Sequence, residues 1–278
     1  MIADWQTNKI YFSSRLKTDY PSSHANIEKK LHDLNIHAKY LSDTKDIWAR
    51  DYMPIQTQEK RFIEFRYDPD YLQGKRKGYR DLKTYPDIVC VRNNLPTTIK
   101  SELILDGGNI VKSENCIILT EKVAIENRLS KAEAITQLKR ILEVEKVIII
   151  PWYRKEKYGH SDGIVRFINE NTVLLHETDK HNSPLIRKLE ESRITINWLE
   201  FDVARKSKLS WAYLNFLQIG NALLIPELGI DEDEQAYQQI KKYYKESLYE
   251  NRIVQVPIRD IVVGGGGALN CISWTIKE

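Results

Sequence analysis

Cys271, His160 and three aspartates, Asp51, Asp106 and Asp162, are the residues of this chain whose types and settings suit covalent chemistry. Cysteine with histidine supplies a nucleophile and a proton shuttle. Carboxylates around a thiol ordinarily raise its pKa and weaken it. They make sense when the substrate is a cation. A guanidinium presents a planar fork of donors that carboxylates hold, and its charge then favours the thiolate beside it. The set therefore points to thiolate attack on a guanidinium carbon. A cysteine protease also pairs Cys with His, but three carboxylates do not help attack on a neutral amide.

Each of these residues sits in a polar or glycine-rich turn that feeds an apolar strand: Trp48-Ala-Arg-Asp51, Asp106-Gly-Gly-Asn109, Gly159-His-Ser-Asp162, and Gly264 to Cys271. In the last, the apolar run Ile261-Val-Val reads as a β-type segment entering four glycines, which are costly to order and imply unusual torsions or a close approach. Plainer readings stand beside the chemical one. The glycine run could be a hairpin turn with a buried cysteine; as a phosphate cradle it lacks GK[ST] or GxGxxG. His160 and Asp162 could stabilise a turn, Asp51 could pair with Arg50, and Asp106 capping its own Gly-Gly turn carries equal weight with a catalytic role. Cys90 and Cys116 lie in strand-like runs and read as core. His176 and His181 read as structural or surface, and Trp48, Trp152 and Trp211 as core or pocket wall.

The elements that must position these turns follow a rhythm of strand, strand, helix, strand. Strands are expected at Lys9–Phe12, Ile36–Leu41, Arg61–Phe65, Ile88–Val91, Leu103–Leu105, Cys116–Leu119, Val147–Ile150, Thr195–Leu199 and Ile253–Val256. Hairpins are expected around Asn169–Asn171 and Gly220-Asn221. Helices are clear in four places: from Ser22 or Ser23 to Leu34, from the capping box Ser130-Lys-Ala-Glu133 to Leu142, from Ser183-Pro184, and from the acidic Asp231–Glu234 to Glu250. Division into five gives about 56 residues per unit, within reach of a propeller. The basic, tyrosine-rich segment Tyr67–Lys83 reads as a solvated surface loop. No Gly, Ser or Pro linker divides the chain, so residues 1–278 read as one domain.

Composition bounds the rest. A hydrophobic fraction of 42%, a charged fraction of 29% and a net charge of +3 describe an ordinary soluble protein and do not argue for nucleic acid. No apolar run approaches a membrane span. Three widely spaced cysteines and no secretory leader fit a reducing cytoplasm.

Taken together and in order, the four turns resemble the motifs of the guanidino-group-modifying enzymes, the pentein superfamily. They most resemble the branch holding agmatine deiminase and the Porphyromonas-type peptidylarginine deiminase. Trp48-Ala-Arg-Asp51 resembles WxRD, Asp106-Gly-Gly-Asn109 resembles EGG, Gly159-His-Ser-Asp162 resembles GHxD, and Gly264 to Cys271 resembles GGGxxHC. Tyr213-Leu-Asn-Phe216, Leu224-Ile-Pro226 and Pro257 to Val263 extend the likeness. The resemblance implies a five-bladed α/β propeller with its site on the axis. It implies Cys271 as nucleophile, His160 as general acid and base, Asp106 orienting His160, and Asp51 and Asp162 clamping a guanidinium. It adds Trp48, Asn215 and Gly266 to the substrate contacts. It implies a small guanidino substrate, agmatine ahead of free or peptidyl arginine, and neither metal nor organic cofactor. A homo-oligomer is compatible with it. The chain departs from the pattern where Asp106 stands one methylene short of glutamate and where Asn270 replaces the histidine before the cysteine. A non-catalytic binder of cations on the same fold, and amidino transfer to an amine, are the other readings.

Overall fold

The computed structural model describes residues 1–73, 80–96, 98–152, 158–244, 249 and 251–278. It is built from five three-stranded sheets, each formed by one stretch of chain except the first. The first takes β1 (Lys9–Ser13) and, after α1 (Leu16–Asp19) and α2 (Pro21–Asp33), β2 (Ala38–Leu41). After the short α3 (Ala49–Tyr52), the second takes β3 (Ile55–Gln58), β4 (Arg61–Arg66), α4 (Pro86–Arg92) and β5 (Thr98–Ile104). The third takes β6 (Val111–Lys112), β7 (Cys116–Thr120), α5 (Lys122–Glu126), α6 (Lys131–Leu142) and β8 (Lys146–Ile150). The fourth takes β9 (Val165–Asn169), β10 (Thr172–His176), α7 (Ser183–Glu191) and β11 (Thr195–Leu199). The fifth takes β12 (Leu217–Ile219), β13 (Ala222–Glu227), α8 (Asp233–Tyr244) and β14 (Ile253–Pro257). Finally α9 (Arg259–Gly265) leads to β15 (Ser273–Ile276), which pairs antiparallel with β1 and completes the first sheet.

Every blade has one grammar. A hairpin-like antiparallel pair is followed by a helical crossover to a parallel third strand. The central strands are buried on both faces, as Ile117-Ile-Leu119 and Leu223-Leu-Ile225 show, and that burial explains their unbroken apolar runs. The predicted α/β propeller of five blades is thus observed. Among the described residues no helix is long and apolar enough to cross a membrane.

Three expectations need correction. Ile88–Val91 is not a strand; it lies in α4, the crossover helix of the second sheet. Only Val89 and Cys90 face inward, while Val91 is 77% exposed. Pro86 at the first helical position presets the helix, and tertiary burial of one face outweighs the β propensity of the run. The run before the glycines is also helical: α9 carries Ile261-Val-Val through Gly265 and ends at Gly266, whose φ of 76° is the left-handed cap that glycine permits. Third, the segment from Tyr67 is not wholly solvated. Tyr67 and Leu72 are buried. Lys75, Arg76 and Lys77 lie outside the described residues, as do Lys245–Ser247 and Glu250 of the expected helix end. The capping box at Ser130 and Glu133 is formed on both sides.

Candidate active site

Five turns, one before the first-formed strand of each blade, face one another across the axis. They are α3, the 3-10 turns Gly107–Asn109, Ser161–Gly163 and Ser210–Leu214, and the turn Leu269–Cys271 before β15. Hydrogen bonds close them into a ring. The Gly108 amide donates to Asp51 Oδ1 at 3.1 Å. His160 Nε2 meets Asp106 Oδ2 at 3.1 Å. Asn215 Nδ2 donates to the Asp162 carbonyl at 3.3 Å, and Asn215 Oδ1 accepts from the Cys271 amide at 3.2 Å. The Arg50 amide donates to the Cys271 carbonyl at 3.1 Å, returning to the first turn. The glycines of the second turn serve this contact. A Cβ on Gly107 would collide with the Arg50 carbonyl oxygen, and one on Gly108 would lie 2.5 Å from Asp51 Oδ1 and 2.6 Å from His160 Nδ1.

The ring floors a cavity of about 200 Å³. Asp51, His160 and Cys271 line it, with Trp48, Tyr67, Tyr71, Tyr158 and Leu72 as walls and Asp46 as a further carboxylate. Gly265, Gly266 and Gly267 pack against this wall: a Cβ on Gly265 or Gly267 would lie 2.4 Å from a carbon of the Trp48 ring. The close approach expected of the glycine run is therefore to the six-membered ring of an indole.

Beneath the cavity the thiol has one carboxylate neighbour. Cys271 Sγ lies 3.4 Å from Asp162 Oδ2. The same oxygen accepts from Asn270 Nδ2 at 2.8 Å. Asn270 Oδ1 in turn accepts from Arg166 at 2.9 Å, and Arg166 is paired with buried Asp4 at 2.9 Å. On the other side His160 stands between two carboxylates, with Nδ1 3.7 Å from Asp51 Oδ1 and Nε2 on Asp106. Lys122, only 1% exposed, holds Asp106 Oδ2 at 2.8 Å.

Burial and charge set the protonation states. Burial pushes the Cys271 thiol well above its ordinary value, and Asp162 and Asp51 push the same way. Burial raises Asp51 to about 7 against the opposing pull of His160. For His160, burial favours the neutral ring, but Asp51 and the Asp106 hydrogen bond outweigh it and raise the imidazole to about 9. Burial would raise Asp106 too; its bonds to His160 and Lys122 prevail and hold it below its ordinary value. Asp46, half-buried and accepting only the Trp48 amide among the described contacts, is raised to about 6 by its desolvation.

The structure thus gathers Cys271, His160, Asp51, Asp106 and Asp162, and answers several of the plainer readings. Asp106 makes no capping bond; it reaches His160 despite its shorter side chain. Arg50 turns away from Asp51 to the Asn270 carbonyl. Trp48 and Gly266 line the cavity. Asn215 does not; it is fully buried and holds the Cys271 backbone. Asp106 and Asp162 lie just below the lining. His176 is structural, bonded to Ser210 and Thr178. Sequence reasoning missed Lys122, Asp46 and the Tyr67–Leu72 wall. For Asp46 a signal was present, since it stands two residues before Trp48. For Lys122 there was none, because a lysine in an amphipathic segment reads as solvated.

A closed ring of five α/β blades with a cysteine, a histidine and carboxylates on its axis defines a class of guanidine-modifying folds. The model of the Porphyromonas-type peptidyl-arginine deiminase family matches residues 13–276, and the chain belongs to that family. A Marinomonas sp. (strain MWYL1) protein of the agmatine deiminase group is 28% identical over 280 residues, covering 84% of this chain and 74% of that protein. The agmatine deiminase of Pseudomonas aeruginosa (strain LESB58) is 27% identical over 213 residues, covering 62% of this chain and 56% of that enzyme. Among solved structures, a substrate-bound variant of C. jejuni agmatine deiminase superposes with a TM-score of 0.75 at 19% identity, covering 100% of this chain and 96% of that one. At that identity the likeness is one of fold.

Proposed function

We propose that this chain is a guanidine deiminase acting on agmatine, converting the guanidino group to a ureido group with release of ammonia. The observation that supports it best is the protonation pattern around Cys271. Buried beside Asp162, the thiol is held neutral by its surroundings. Its activation needs a positive charge, and a guanidinium brings one.

In this reading Asp51 takes the guanidinium from the cavity side and Asp162 from beneath, placing its carbon over Sγ. One positive charge enters and the thiol proton passes to solvent by way of Asp162 Oδ2, to which Sγ donates. The thiolate attacks, forming a C–S bond and a tetrahedral adduct. His160, protonated because of Asp51 and Asp106, donates to the departing nitrogen as the C–N bond breaks. A covalent thiouronium remains on Cys271. The neutral imidazole then takes a proton from water as the oxygen bonds to the same carbon. Collapse breaks the C–S bond, forms the ureido carbonyl and passes the hydroxyl proton to the departing sulfur, which restores the thiol.

The described lining suits agmatine. Its charged groups among the described residues are carboxylates and His160. Asp51 suits the guanidinium and Asp46 a distal ammonium. Tyrosine and tryptophan walls suit the methylene chain between.

The test is turnover of agmatine, free arginine and a peptidyl arginine, read as ammonia and ureido product, with intact-protein mass spectrometry of quenched reactions. Agmatine is expected to turn over fastest and to leave a thiouronium adduct on Cys271. Cys271→Ala should bind agmatine without turnover, since Asp51 and Asp162 survive. An adduct mapped to another residue, or full activity in Cys271→Ala, overturns the mechanism. Absence of turnover with every guanidine, in a folded protein that binds them, favours the binder instead.

A further inference from the structure

Lys122 is a charge buried beside the site that the mechanism above does not use. It opens α5, one residue past Glu121 and two past the end of β7, and its side chain is 1% exposed. Its ammonium lies 2.8 Å from Asp106, 3.5 Å from Asp70 and 3.6 Å from Glu126. It also stands 4.8 Å from the centre of the Tyr71 ring. Its stem packs where a Cβ on Gly159, the residue before His160, would lie 2.8 Å from Lys122 Cδ. A lone ammonium taken out of water is expensive. This one is kept because three carboxylates and an aromatic face converge on it.

We propose that Lys122 is a positioning residue for His160: it anchors the Asp106 carboxylate against which the imidazole rests, so that ring orientation and proton affinity are set together. The geometry carries the argument. Asp106 Oδ2 is shared between Lys122 Nζ and His160 Nε2, at 2.8 Å and 3.1 Å. Without the ammonium, a short aspartate would have only the imidazole to hold it, with its Oδ1 already unpartnered among the described residues. The other groups facing this cluster are Asp51 at His160 Nδ1, the Tyr71 and Tyr158 rings beside the imidazole, and Asp70 and Glu126 at the ammonium. Glu126 also accepts from the Asp70 amide, so Lys122 ties the Asp70–Leu72 wall to the same point.

Removing the ammonium takes away a positive charge that opposes protonation of His160. The imidazole should then hold its proton more tightly.

For its effect on turnover this inference rests on the deiminase reading; its effect on His160 does not. The direct test is the titration of His160 followed by NMR in the ring-labelled full chain. In Lys122→Met the midpoint should rise by about one pH unit, and the alkaline limb of kcat/KM should move up with it. Lys122→Arg, which keeps the charge, should return both toward the parent values. In an Asp106→Asn background, Lys122→Met should add less than in the parent, because only the direct effect of the charge remains and the part relayed through Asp106 is gone. If Lys122→Met does not fold, Lys122→Gln serves, since it keeps length and loses charge. An unchanged His160 midpoint in either folded variant overturns the proposal. A shift as large in the Asp106→Asn background as in the parent also overturns it. A shifted midpoint in a protein that turns over no guanidine leaves Lys122 in this role and removes the deiminase reading.

Discussion

Between about pH 7 and pH 9 the site holds an ionised Asp51, a protonated His160 and a neutral Cys271 thiol. That is the state a guanidinium needs to meet: a carboxylate to bind it, an acid for the leaving nitrogen, and a thiol waiting for charge. Below pH 7 Asp51 takes up a proton and loses its attraction for the cation. Above pH 9 His160 loses the proton it must donate. The kcat/KM profile for agmatine should therefore be a bell with limbs near these values, shared between two coupled groups 3.7 Å apart. Asp51→Asn should abolish the acidic limb along with most of the activity; an unaltered limb would assign it elsewhere. Asn270 is the second residue to test. It links Asp162 to Arg166, so Asn270→Ala leaves two buried charged groups short of a partner. A loss of about 1–3 kcal/mol in denaturant unfolding is expected, together with lower activity. Stability equal to the parent would show that water replaces the amide.

At the scale of elements, the glycines and α4 carry the tests. Gly108→Ala places a methyl against the far ends of Asp51 and His160. It should cost activity more than ten-fold while the fold survives, since those side chains can move but not without losing their alignment. Gly265→Ala meets the Trp48 ring instead and should cost roughly 1–3 kcal/mol of stability, the usual range for overpacking. Thermal unfolding of both, beside turnover, separates the two kinds of damage. These elements also show what could be read in advance. The four polar turns, the Ser130 capping box and the Gly220 hairpin were legible because each is encoded locally, by side chains next to the backbone they bond. The crossover helix of the second sheet, α4, was not. Ile-Val-Cys-Val has strand propensity, and only packing of Val89 and Cys90 makes it helical. Nor were Lys122 or the chain from Asn270 to Asp4, whose partners are long-range.

At the scale of the molecule, the last strand pairs with the first and the ring of turns closes through Arg50 and Cys271. The site is thereby a property of closure, and its buried charges bear on the stability of the whole fold. Asp51 rises from an ordinary 3.8 to about 7, and His160 from 6.5 to about 9. Both bind protons more tightly folded than unfolded. Their stabilising contributions are full below 3.8 and 6.5 respectively, and are lost as pH rises through 7 and 9. The site thus favours the fold most when its protons are in place. A bound cation can take over that role once Asp51 is ionised. At pH 5 the ligand must displace the Asp51 proton, whereas at pH 8 it meets a carboxylate. In Cys271→Ala, which cannot turn substrate over, agmatine should raise Tm more at pH 8 than at pH 5 when each shift is taken from the ligand-free protein at the same pH. The ureido product keeps the distal ammonium but is neutral at the ureido end, so it should show a smaller pH dependence, the part that belongs to Asp46. An equal or larger agmatine shift at pH 5 would mean that Asp51 is not the carboxylate that receives the cation.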